Sequence, residues 1–102
     1  MFSQQASSQS ETGYIGISSR FDVVTSGQYR MPFVRMLGDP SKTRVVIDFS
    51  NVTYIDSSGI GTLIAWYKTS KERGKELVIQ NCGEGVMEIL RTLAVDRMIP
   101  IS

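Results

Sequence analysis

The sequence contains no histidine. Without an imidazole, neither a Ser-His-Asp nor a Cys-His nucleophilic apparatus can be assembled. Zinc sites built on His ligands are excluded too, and a lone cysteine cannot replace them. A carboxylate or lysine base remains open, but the commonest hydrolase and transferase designs are gone. The one cysteine, Cys82, allows no intramolecular disulfide, so a reducing cytoplasm is the expected location. Nothing near Cys82 clearly lowers its pKa, and it reads as a small packed or loop residue. Charge of one sign is also lacking: 11 basic against 10 acidic residues leave a net +1. With no Lys/Arg cluster, no direct grip on nucleic acid is expected. No window approaches the ~18 apolar residues of a membrane span, so no membrane insertion is expected. The first 19 residues hold no Lys or Arg and no apolar stretch, which does not fit a signal peptide. Neither G-x-x-x-x-G-K-[ST] nor G-x-S-x-G occurs, so a P-loop and a nucleophile elbow are both rejected. No metal, no cofactor and no catalytic residue is expected.

What is present suits one domain of 102 residues, with enough apolar content for a core of modest stability. Residues 1–12, MFSQQASSQSET, are rich in Ser and Gln. They predict a flexible polar tail or weak edge strand, closed by a possible turn at Gly13. The domain proper then spans 13–102. Tyr14 to Ser18 alternates bulky and small residues, as a strand does. A helix is expected within 25–37, but Pro32 lacks the N–H that a helix interior needs. Either the helix starts near Pro32, with proline in its first turn, or it bends there.

Gly38-Asp39-Pro40-Ser41 is a turn cluster. Val45 to Phe49 is a continuous apolar run rich in β-branched residues, which predicts a strand buried on both faces. From Ser58 the period changes: Ile60, Leu63, Ile64 and Tyr67 fall on one face of a helix over 58–73, stopped at Gly74. A strand at Glu76–Gln80, a helix carrying Val86, Ile89, Leu90 and Leu93, and a short strand near Met98–Ile101 complete the chain. Strands alternating with helices predict an α/β fold with a largely parallel sheet.

The most informative stretch runs from Asn51 to Gly61, NVTYIDSSGIG. Asp56, Ser57 and Ser58 stand where helix N-caps are favoured, and Gly59 and Gly61 let the backbone pass close to neighbours or to a partner. A helix N-terminus offers free N–H donors and a partial positive charge. Phosphate on Ser57 would be held there, and beside Asp56 it would also concentrate negative charge. On these four residues alone, Asp-Ser-Ser-Gly reads more readily as a plain cap and tight turn, since Ser and Asp are common at every helix start.

In its wider setting the stretch resembles the signature of the bacterial anti-sigma factor antagonists, the STAS family. Val45–Phe49 before it and Leu63–Gly74, Glu76–Gln80 and Val86–Val95 after it resemble the family's elements. Ser19-Arg20-Phe21-Asp22 resembles its Gly-x-[Leu/Phe]-Asp element. The likeness covers roughly 14–101 on a single-domain reading. It implies a single STAS-like domain with a mixed, mostly parallel sheet of four to five strands and about three helices packed against it.

The resemblance further implies a non-enzymatic partner switch. The phosphoacceptor would be Ser57, the partners a serine kinase that doubles as an anti-sigma factor and a PP2C-type phosphatase. The unphosphorylated form binds the kinase, and phosphorylation releases it. The partner-binding set is then Asp22, Asp56, Ser57, Ser58, Gly59, Thr62 and Trp66. Each also has a structural reading: Asp22 as a helix N-cap, Trp66 as packing on the domain flank. Asp48 is expected to brace the 56–59 loop.

Three departures stand out. Ser19 replaces a common glycine, Pro32 falls in the first helix, and the sequence stops at Ser102, where the family frequently has a further helix. Two alternatives remain: a non-phosphorylated STAS subunit of a larger assembly, such as a lipid-transport ABC complex or stress-sensing scaffold, and a small enzyme using a carboxylate with Ser57.

Overall fold

A computed structural model describes residues 11–102. In chain order the elements are β1 (Thr12–Gly16), β2 (Arg20–Phe21), a 3₁₀ turn (Ser26–Tyr29), α1 (Arg30–Gly38), β3 (Arg44–Asp48), β4 (Tyr54–Ile55), α2 (Ser57–Glu72), β5 (Glu76–Gln80), α3 (Glu84–Thr92) and a second 3₁₀ turn (Val95–Arg97). The architecture is α/β, with three helices and five strands, as expected. The strands divide into two sheets, one ordered β1-β3-β5 and one pairing β2 with β4. Every pairing in both is parallel.

The central strand β3 buries Val45, Val46 and Ile47 alike, because it has a neighbour on each edge and cover on both faces. Ile15, Ile47 and Ile79 lie side by side across the sheet and head the core, which Phe21, Phe49, Leu63, Leu90 and Ile99 complete. The expected tail overlaps β1 at Thr12, and its first ten residues lie outside the described ones. Gly13 is a buried strand residue, not a turn. A Cβ there would come within 2.6 Å of the Met36 Sδ on α1.

Pro32 sits in the first turn of α1, which begins at Arg30 after the 3₁₀ turn. The missing N–H therefore leaves no helical bond unmade. Helix α2 ends as its sequence predicts. Gly74 takes φ +71, Lys75 N–H donates to Ser70 O at 2.8 Å and Gly74 N–H to Lys71 O at 3.0 Å, the hydrogen-bond pair of a glycine-terminated helix. The Lys75 ammonium then reaches back to the end of α1, donating to Met36 O and Asp39 O. The strand expected near Met98–Ile101 is reduced to one bridge, Ile79 to Ile101. Pro100 has no N–H to extend a ladder.

The inward face of α2 departs from the expected one. The buried residues are Gly59, Leu63, Trp66 and Ser70, whereas Ile60 and Tyr67 are half-buried and pack against the core from its flank. At 100° per residue the buried stripe is turned by about 80° from the Ile60–Tyr67 face. Aromatic packing accounts for the turn: Trp66 stacks on Phe33 of α1 with centroids 4.6 Å apart and meets Phe21 at 5.6 Å. The rotation also buries Ser70 completely, with no hydrogen-bond partner for its hydroxyl. Ser70→Ala removes an unsatisfied polar group and restores the best helix former. It should leave the protein as stable or raise stability by about 1 kcal/mol. Urea unfolding checks this; a clear loss would mean that the hydroxyl has a partner after all.

Candidate functional site

The loop between β4 and α2 meets the loop after β2, and the smaller sheet is what joins them. Arg20 pairs with Tyr54 and Phe21 with Ile55, so the segments following each strand leave side by side. Thr53 fastens the approach, its N–H donating to Ser19 O at 2.9 Å.

Asp56 is the N-cap of α2, in extended backbone conformation. Its Oδ1 accepts from Gly59 N–H at 2.9 Å, and its Oδ2 accepts from Val23 N–H at 3.2 Å. One carboxylate thus caps the helix and ties it to the neighbouring loop. Ser57 is the first helical residue and is exposed. Because Asp56 supplies the cap, the Ser57 hydroxyl is left at the surface of a helix N-terminus, where the next backbone N–H groups and the helix dipole favour an anion. Ser58 is half-buried, and its carbonyl accepts from the Thr62 hydroxyl at 2.9 Å.

Asp22 lies in the loop facing this cap, but it is turned inward, its side chain only 7% exposed. Oδ1 accepts from Val24 N–H, Thr25 N–H and the Thr25 hydroxyl, and Oδ2 from Arg20 Nε at 2.7 Å. It is an organiser of the 22–25 loop. It is not a helix N-cap: Thr25 occupies that place before the 3₁₀ turn, and Tyr29 before α1. The Arg20 guanidinium also lies over the Tyr54 ring, 4.3 Å from its centroid, which locks β2 to β4 from the outside.

The Thr25 backbone N–H, then Arg20, and to a smaller extent the Thr25 hydroxyl and Val24 N–H, hold the Asp22 carboxyl down at about 2, from an ordinary 3.8. A depressed folded value stabilises the fold above the unfolded pKa, and that contribution is lost as pH falls through the folded one. Stability should therefore decline as pH drops from about 4 to about 2. Asp22→Asn should flatten that decline without abolishing it, since Asp39 and Asp48 are lowered too, by Ser41 and by Ser50 with Asn81. Denaturation curves from pH 5 to 2 test this; an equally steep acid limb in the variant would remove Asp22 from the account.

One expectation is overturned, and two residues take the structural one of their two readings. Asp48 does not brace the 56–59 loop. Its Oδ1 accepts from Ser50 N–H and Asn81 Nδ2, because β3 ends beside β5 and the Asn81 turn. Trp66 is 6% exposed and belongs to the core, so packing, not an exposed anchor, is its place here. Gly59 is also buried, pressed against β2: a Cβ there would stand 2.1 Å from Phe21 O. Among the described residues, no group of three or more His, Cys, Asp or Glu is placed to hold a metal. No described helix is long and apolar enough to cross a membrane.

Sequence reasoning missed Val23 and Val24. They are 69% and 75% exposed, and Val23 is joined directly to the Asp56 cap. The only signal was two adjacent β-branched apolar residues in a loop, which composition alone does not separate from a strand end.

The family model described as Mlab, STAS domain matches residues 5–100, and the chain belongs to the STAS-domain family. It is 30% identical over 88 residues to a STAS-domain-containing protein of Pseudomonas aeruginosa, covering 86% of this chain and 85% of that protein. It is 24% identical over 87 residues to the anti-sigma F factor antagonist of Paenibacillus polymyxa, covering 85% of this chain and 74% of that one. Among solved structures, the fold is similar to a sulfate transporter family protein from Wolinella succinogenes, with TM-score 0.76, 13% identity and coverage of 85% and 70%. It is also similar to the anti-sigma factor antagonist SpoIIAA in its unphosphorylated form, with TM-score 0.65, 17% identity and coverage of 86% and 89%.

Proposed function

We propose that this chain is an anti-sigma factor antagonist that works by binding, as a phosphorylation-controlled partner switch. In this reading the unphosphorylated form binds a serine kinase that doubles as an anti-sigma factor, phosphorylation of Ser57 releases it, and a PP2C-type phosphatase resets it. The observation that carries the reading is the exposed Ser57 on the first turn of α2, held beside Val23 and Val24 by the two-way Asp56 cap. An exposed apolar pair next to a modifiable hydroxyl makes a contact surface whose affinity one added charge can reverse.

Two relatives support it, one named as an anti-sigma F factor antagonist and one, SpoIIAA, also solved in a phosphorylated form. The docking surface comprises Val23, Val24, Asp56, Ser57 and Ser58. Asp22, Gly59 and Trp66 act behind it, by shaping loop, helix start and core. The protein recovered from its own cells should carry one phosphoryl group, and peptide mass spectrometry should map it to Ser57. Modification at another residue, or none under any growth condition, would count against the switch. The Mlab description of the family model and the sulfate transporter neighbour favour a second reading, a non-phosphorylated STAS subunit of a larger assembly. Co-purification with a membrane ATPase would support that one.

A further inference from the structure

A groove of about 460 Å³ runs between α1 and α2, away from Ser57 in its lining but bordered by Thr62 and Trp66 of the expected partner-binding set. Its floor is apolar: Phe33 and Trp66, stacked and nearly fully buried. Val34 and Ala65 are exposed along its walls. Its two charged lining residues, Arg30 and Arg73, are both cationic, and no acidic side chain lines it. Neither arginine pairs with a carboxylate among the described residues.

Arg73 is accounted for as the C-cap of α2, where a cation answers the carbonyl end of the helix. Arg30 is not. It is the first residue of α1, whose first turn holds no acidic residue, and the helix dipole disfavours a cation there. An arginine and a helix N-terminus at one end of an apolar trough both call for an anion. The trough volume falls within the roughly 300–1,000 Å³ of small-molecule sites. An apolar floor with a cationic rim and no acidic lining residue suits a ligand with an apolar chain and an anionic head.

We propose that this groove binds a small amphiphilic carboxylate, an unbranched apolar chain lying over Phe33 and Trp66 with its anionic head at Arg30. The proposal is independent of Ser57. The protein contains a single tryptophan, and it lies in the groove, so its emission reports occupancy directly.

The test is a titration of the intact protein with decanoate, read by Trp66 fluorescence and repeated by calorimetry. Binding should be saturable. Arg30→Glu should weaken it about tenfold or more, the loss expected for a charge-assisted contact, and decanol should bind correspondingly more weakly than decanoate. Ala65→Leu should fill the trough and weaken binding as well. Both positions are exposed on helices, and thermal unfolding run in parallel identifies any variant that is not folded. Ser57→Ala should bind decanoate like the parent, which separates failure of this site from failure of the switch. An emission that never saturates, or folded Arg30→Glu and Ala65→Leu variants that bind decanoate unchanged, would overturn the proposal. So would saturable binding of a synthetic amphipathic peptide with glutamates at its ends where decanoate fails, which would make the groove a protein-docking site.

Discussion

Gly59→Ala should cost about 3 kcal/mol or more, because the obstacle to its methyl group is backbone and cannot swing away. The Cβ would lie 2.1 Å from Phe21 O and 2.9 Å from Phe21 C, with Ile55 Cγ1 at 3.0 Å behind them. Phe21 is fully buried and paired in register with Ile55, and Asp56 N–H donates to the same Phe21 carbonyl. Moving β2 away would therefore strain the small sheet, the Asp56 cap and the 22–25 loop together. For a domain of this size, 3 kcal/mol corresponds to a fall in melting temperature of about 12 °C or more.

Gly61 supplies the internal control. It is exposed on the same helix, and a Cβ there meets nothing within 4 Å. Gly61→Ala should raise stability by about 0.5–1 kcal/mol, the ordinary gain of alanine over glycine inside a helix. Two chemically identical substitutions two residues apart should thus shift the melting temperature in opposite directions. Melting of Gly59→Ala at the parent temperature would show that helix and strand do not approach as described, and would return Gly59 to the partner surface.

Ser57→Ala and Ser57→Asp should separate binding from folding. Asp56 carries the cap, so Ser57→Ala, which removes the phosphoacceptor of the proposed switch, should leave stability within about 0.5 kcal/mol of the parent. Asp at the first helical position is favoured by the dipole, by about 0.3–1 kcal/mol. It also places a second carboxylate beside Asp56. Charge left unpaired in a buried interface costs about 2 kcal/mol or more, roughly thirtyfold in affinity. If the proposed switch holds, the Ala variant should bind the kinase like the parent and resist modification. The Asp variant should be at least as stable yet bind about thirtyfold more weakly, with partial release at minimum because carboxylate carries about half the charge of phosphate. The measurement is a calorimetric titration of each variant, with unfolding curves alongside. A folded Asp variant that binds with parental affinity would mean that charge at this loop is not the switch, and the assembly-subunit reading would take its place.

Much of this was legible from local pattern. The buried run Val45–Ile47, the change of period at Ser58, the glycine stop at Gly74 and the Asp56 cap are properties of short segments. Backbone hydrogen bonding and side-chain periodicity act within a few residues, so a single stretch of sequence determines them. The same locality placed Ser57 at a helix N-terminus, while the lack of histidine is a matter of composition alone.

The rest was decided by contacts between segments distant in sequence. The pairing of Arg20–Phe21 with Tyr54–Ile55 joins residues more than 30 apart and involves strands too short to show a period. That pairing brings Val23 to Asp56, makes Gly59 a packing residue and spends the Asp22 carboxylate on its own loop. The rotation of α2 that buries Trp66 and Ser70 follows from the partner helix supplying Phe33. Helical periodicity says which residues share a face, but the face turned inward depends on which aromatic ring waits there. Sequence determined the elements and the chemistry available to them; only tertiary packing decided which of those groups stay at the surface and which are committed to the core.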